Sequence, residues 1–154
     1  MNIGIIVYSH TGHTLAVAMQ LKETLSAAGH AVTLEQLETV IPLQRGDTTA
    51  KLKTRPAVSA YDALVFACPV RGGTQAPPMR VYLEELSTLA GKKAACLVTG
   101  FLPADWGRNQ TLAQMKEMCA SKGATVCGTG SVRWSSLDRG RQIAKVVEDL
   151  SQLF

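Results

Sequence analysis

Ile3-Gly4-Ile5-Ile6-Val7-Tyr8-Ser9-His10-Thr11-Gly12-His13-Thr14-Leu15 is the stretch that decides the fold. Ile3 to Tyr8 is short, apolar and rich in β-branched side chains, the pattern of a strand buried on both faces. From Leu15 the chain becomes amphipathic, with Val17, Ala18, Leu21, Leu25 and Ala28 on one face and Gly29 to end the helix. Between strand and helix lies a turn of three hydroxyls (Ser9, Thr11, Thr14), one glycine (Gly12) and two histidines (His10, His13). A helix N-terminus leaves orphan N–H donors and carries positive partial charge, so such a turn suits an anion, most often a phosphate.

Working outward, the same alternation repeats. Ala31 to Leu37 reads as a second strand, Ala63 to Ala67 as a third, Lys93 to Thr99 as a fourth, and Thr125 to Val132 as a glycine-interrupted edge strand. Pro77-Pro78 opens a helix with Met79, Tyr82, Leu83, Leu86 and Leu89 inward. Further helices are predicted over about Asn109–Lys122 and Ser136–Leu153. Residues 38–59 hold Pro42, Gly46 and Pro56 and read as a short or irregular crossover, with one or two helical turns open to Asp47–Lys53. Pro69 is expected to end the third strand. Alternating strands and helices predict one α/β domain over residues 1–154: a three-layer α/β/α sandwich around a five-stranded parallel sheet of order 2-1-3-4-5. In that order the crevice lies where the first and third strands end. The turn at Ser9–Thr14, the loop Cys68–Thr74 and the loop Gly100–Gly107 therefore converge on one mouth.

Composition sets outer bounds. The chain has 154 residues, 46% of them hydrophobic and 18% charged, with a formal charge of +4. Its basic residues are scattered without aromatic interleaving, which sets nucleic acid aside. No apolar run nears the roughly 20 residues of a membrane span. The first residues show neither a basic region nor a cleavage pattern, so a cytoplasmic protein is expected. Cys68, Cys96, Cys119 and Cys127 form no C-x-x-C pair, and no metal site is expected. Three of these cysteines lie in or beside apolar runs and read as small buried hydrophobes.

Several phosphate-handling patterns fail at the first turn. There is no G-x-x-x-x-G-K-[ST] and no G-x-G-x-x-G. There is no acidic pair at the strand ends, and no cysteine in the first loop. What the turn does resemble, as Ser9-x-Thr11-Gly12-x-Thr14, is the [ST]-x-T-G-x-T phosphate loop of the flavodoxin family. Tyr61-Asp62-x-Leu64-Val65-Phe66, followed by Cys68-Pro69-Val70, resembles that family's third strand and flavin loop.

The resemblance implies FMN as cofactor, held through its phosphate by Ser9, His10, Thr11, Gly12, His13 and Thr14. Pro69, Val70, Arg71, Gly72, Gly73 and Thr74 would hold one edge of the flavin, and Thr99, Gly100, Phe101, Trp106 and Gly107 the other. Backbone N–H groups of Gly72, Gly73 and Gly100 are candidates for its polar edge. His10 and His13 would couple binding to pH, unless both rings simply face solvent. Arg71 would stabilise reduced flavin, receive the phosphate of a nicotinamide donor, or stand as a solvated loop cation.

Two features depart from an electron-shuttle flavodoxin. The chain is basic, and no aromatic residue occupies the loop after the third strand, which leaves one flavin face open. Pro-Val-Arg-Gly-Gly is similar to the loop of flavodoxin-like quinone reductases, which often form tetramers. The implied activity is an oxidoreductase passing electrons from NAD(P)H through FMN to a quinone or similar acceptor, with no side chain acting as acid or base. The alternatives are an electron carrier that needs a partner reductase, or a module that has lost FMN.

Overall fold

The computed structural model describes residues 1–154. Its elements follow the alternation in the sequence: β1 (Asn2–Val7), α1 (His13–Ala27), β2 (Ala31–Gln36), β3 (Ala63–Arg71), β4 (Thr74–Gln75), α2 (Pro77–Glu85), β5 (Lys93–Gly100), α3 (Arg108–Ser121), β6 (Thr125–Arg133) and α4 (Arg139–Ser151). A short 3-10 turn, Ala104–Trp106, precedes α3. The five long strands are parallel and ordered β2-β1-β3-β5-β6. This is the expected order, renumbered because the two-residue β4 intervenes.

Strand periodicity sorts the core into two layers. Ile3, Ile5 and Val7 of β1, Val65 of β3 and Leu97 of β5 face α1 and α4, meeting Val17, Leu21, Leu25, Ile143 and Val147. Ile6, Leu64, Phe66, Cys96 and Val98 face the other way, toward Met79, Tyr82, Leu83 and Met115 of α2 and α3. β1 and β3 are buried on both faces, which is why their sequences are continuous apolar runs. Of the three cysteines in or at the end of apolar strand runs, Cys68 and Cys96 are buried and Cys127, on the edge strand, only partly so; Cys119, expected inward on its helix, is buried.

Three stretches complete or change the sequence reading. Residues 38–59 form an irregular crossover, as expected, and the helical turns left open to Asp47–Lys53 do not form. Leu43 and Leu52 dock into the α2/α3 layer beside Leu37, and Thr39 and Leu52 form an isolated antiparallel bridge. Their apolar side chains follow neither period, so the segment folds by tertiary packing alone. Leu86 and Leu89 lie beyond the end of α2 at Glu85, although Leu89 is fully buried.

The third change is at β3, which does not stop at Pro69. Pro69 lies beside Thr99 of β5, and Val70 and Arg71 then pair antiparallel with Gln75 and Thr74. The two residues between, Gly72 and Gly73, both have positive φ (60° and 76°), as a type I′ hairpin turn requires. The loop read from the sequence is thus a tight hairpin carried on β3.

The glycines of β6 have a packing reason. A Cβ on Gly130 would come within 2.6 Å of Val146 Cγ1, so the bare backbone lets α4 lie close against the edge strand.

Candidate functional site

The mouth forms where β1, β3 and β5 end. A cavity of about 380 Å³ opens there, within the ~300–1,000 Å³ usual for small-molecule sites. Three segments wall it: the turn after β1, the hairpin after β3 and the loop between β5 and α3.

The first turn is built around Ser9. Its Oγ accepts from the N–H of Gly12 at 3.1 Å and of Leu15 at 3.3 Å, which fastens the turn to the start of α1. Gly12 takes φ 89°, so the chain enters the helix through a left-handed residue. The N–H groups of His10, Thr11, His13 and Thr14 then donate to no protein acceptor. Thr14 is 1% exposed and its hydroxyl is hydrogen-bonded to that of Thr99 at 2.8 Å, tying α1 to the end of β5. Four unpaired N–H groups, the free O–H of Thr11 and a helix N-terminus make a cradle for a dianion, with no lysine needed.

The other two segments add apolar side chains. Phe101 and Trp106 line the cavity while remaining 57% and 67% exposed. Val70 and Leu102 line it as well. The hairpin tip contributes Gly72 and Gly73, whose N–H groups are also unpaired. No aromatic ring stands on the hairpin side.

Most of the sequence-predicted residues meet here: Ser9, His10, Thr11, His13, Thr14, Pro69, Val70, Arg71, Gly72, Gly73, Thr99, Gly100, Phe101 and Trp106 all line the cavity. Three do not. Gly12 shapes the turn from behind. Thr74 turns away and donates its hydroxyl to Gln114 Oε1 at 2.5 Å. Gly107 is where two loops touch: a Cβ there would lie 2.8 Å from Val70 Cγ1 and 3.2 Å from Gly73 Cα, and its φ is 133°. Its absent side chain lets the β5–α3 loop close on the hairpin.

His13 does not simply face solvent. Its ring stacks on Trp134 at 4.2 Å and meets Phe101 edge-on at 5.6 Å. Arg139 lies over the Trp134 ring, 4.6 Å from its centroid.

Sequence reasoning missed Trp134, Arg108 and Leu102, all of which line the cavity. Trp134 follows the edge strand directly, and its backbone N–H donates to Gly100 O at 2.8 Å. An aromatic just past a parallel strand's carboxyl end was a usable signal. Arg108 is 8% exposed at the first residue of α3, where the helix dipole disfavours a cation. Its Nη1 donates to Ser131 Oγ at 2.5 Å and its Nε to Leu102 O at 3.4 Å. No carboxylate pairs with it, and burial together with the nearby Arg133 charge lowers its pKa. Nη2 donates to no protein atom, so one edge of a buried cation is left for an anionic group.

The sequence model of the family described as NADPH-dependent FMN reductase matches residues 1–137. The chain belongs to that family. FMN is therefore the ligand of this FMN reductase relative, and the cradle of unpaired donors fits its phosphate. Solved structures agree on the fold. A flavodoxin from Streptococcus pneumonia TIGR4 superposes with a TM-score of 0.72 at 17% identity, covering 100% of both chains. Flavodoxin 1 from Bacillus cereus gives 0.71 at 15% identity, covering 99% of this chain and 97% of its own. A flavodoxin, WrbA-like protein from Agrobacterium tumefaciens gives 0.69 at 15% identity, covering 99% of each. No helix of this FMN reductase family member is long and apolar enough to cross a membrane.

Proposed function

We propose that the chain is an FMN-dependent oxidoreductase that takes electrons from NAD(P)H and passes them to a quinone or similar small acceptor. The observation that carries this reading is the asymmetry of the mouth. The aromatic side chains of the mouth come from the β5–α3 loop and from Trp134, while the hairpin after β3 brings a tip of two glycines and carries no ring of its own. A hydride donor and a flat acceptor both need to stack on an uncovered flavin face, and this hairpin leaves room for each in turn.

Bound FMN supplies the electron chemistry. The donor gives up two electrons and one proton as hydride; a quinone acceptor gains two electrons and two protons, the second from water. The protein's part is binding, orientation and charge. His10, Thr11, His13 and Thr14 present their N–H groups to the phosphate, and Ser9 holds the turn in shape. The N–H groups of Gly72 and Gly73 bond the flavin's polar edge. Phe101 and Trp106 give it an apolar wall, and Arg108 sets a buried positive charge beside the place where negative charge is received. Pro69, Val70, Thr99 and Gly100 form the floor. The exposed rim of Phe101, Leu102 and Trp106 suits a flat apolar acceptor. Three buried thiols and no disulfide fit a cytoplasmic setting.

The net charge of +4 disfavours the carrier alternative, since shuttle flavodoxins are typically acidic. Anaerobic mixing of the FMN-loaded protein with NADPH decides the matter. Bleaching of the visible flavin bands, reversed by a quinone, is the expected result. Bands that persist with both NADPH and NADH, yet bleach with a partner reductase, would establish a carrier instead.

A further inference from the structure

Beside the flavin mouth lies a second cleft of about 580 Å³ with no hydrophobic lining. Three arginines line it from three segments: Arg45 from the β2–β3 crossover, Arg71 from β3 and Arg80 from α2. The one carboxylate in its wall, Asp47, already accepts from the Gln44 N–H at 2.8 Å. Arg45 and Arg71 form no ion pair, whereas Arg80 pairs with Glu84 at 3.1 Å.

The cleft is braced. Arg71 Nη2 donates to Gln44 O at 3.3 Å and Arg80 Nη2 to Thr48 O at 2.5 Å, which clamps the loop carrying Arg45 to the hairpin and to α2. Like charges gathered in one polar cleft repel one another, a cost that a dianion removes.

Arg71 and Gly72 line both this cleft and the flavin cavity, so the two spaces share a wall. A dinucleotide spanning both would set its redox-active ring at the first and a phosphate at the second. We propose that the Arg45–Arg71–Arg80 cleft is the subsite for the 2′-phosphate of NADPH and makes the enzyme discriminate NADPH from NADH. This rests on the reading of NAD(P)H as donor. Arginine suits the role because its planar fork meets a phosphate with two parallel hydrogen bonds.

The test uses Arg45, which is exposed and braces nothing. In the FMN-loaded protein, Arg45→Ala should lower the ratio of kcat/KM for NADPH over NADH by roughly 10- to 100-fold, the worth of one charged hydrogen bond. Arg45→Lys should restore part of it. Calorimetric titration with 2′,5′-ADP should show the same loss of affinity, and titration with 5′-ADP should not. An unchanged ratio, or equal losses for NADPH and NADH, would overturn the subsite while leaving the donor assignment standing. If neither dinucleotide bleaches the wild-type flavin, the donor assignment fails and the proposal fails with it. The 2′,5′-ADP titration then reports separately whether the cleft holds a phosphate at all.

Discussion

Thr14 and Thr99 lie 85 residues apart, and their hydroxyls meet at 2.8 Å with 1% and 2% of each residue exposed. The bond joins the start of α1 to the end of β5, two of the three segments that form the mouth. Valine matches threonine in shape, so Thr14→Val removes the hydroxyl without opening a cavity. It leaves the Thr99 hydroxyl buried and unpaired, which costs about 1–3 kcal/mol. For a domain of this size that lowers Tm by roughly 2–12 °C. Thr99→Val should cost a similar amount. Replacing both removes the orphan as well, and matched apolar replacement of a pair is nearly neutral. The double variant should therefore be more stable than either single one. The assay is thermal unfolding of the FMN-free protein for all four members of the cycle, which isolates the pairwise term. A double variant whose loss equals the sum of the two single losses would refute the reasoning.

Thr11→Val removes a hydroxyl that bonds nothing in the protein and should weaken FMN binding by roughly tenfold, read by flavin fluorescence, with Tm of the FMN-free protein unchanged. Gly107→Ala sets a Cβ 2.8 Å from Val70 Cγ1 at a φ of 133°, and should cost about 1–3 kcal/mol in unfolding experiments while loosening FMN. Arg108→Met removes the buried cation of the mouth and should make the potential of bound FMN more negative by roughly 30 mV, about 1.4 kcal/mol for a two-electron couple. A potential that stays put would remove Arg108 from the flavin's surroundings.

The fold was legible because β1, β3 and β5 are buried on both faces and so read as unbroken apolar runs. The turn after β1 was legible as one wall of the cavity because its residues are consecutive: strand end, hydroxyls and helix start all lie between Val7 and Leu15. What escaped were contacts that no local period encodes. The hairpin after β3 was hidden by Pro69, whose proline signal outweighed the Gly72-Gly73 turn three residues on. The 38–59 crossover packs through Leu43 and Leu52, which are spaced for neither helix nor strand. Trp134 reaches the mouth only because β6 pairs with β5, and it meets His13 across 121 positions of sequence. Arg108 was readable in principle, as a cation placed against the dipole of its own helix. Its partner Ser131, however, is known only once the edge strand is in register.

The assignment of the first turn as the phosphate cradle of an FMN site is tested most directly by comparing FMN with riboflavin on the same protein. The two ligands share the flavin and ribityl chain and differ by the phosphate alone. Saturable one-to-one binding of FMN is expected, at least about 100-fold tighter than that of riboflavin, since several charge-assisted hydrogen bonds are lost with the phosphate. Equal affinities for the two, or no gain of visible flavin absorbance at saturating FMN, would contradict it.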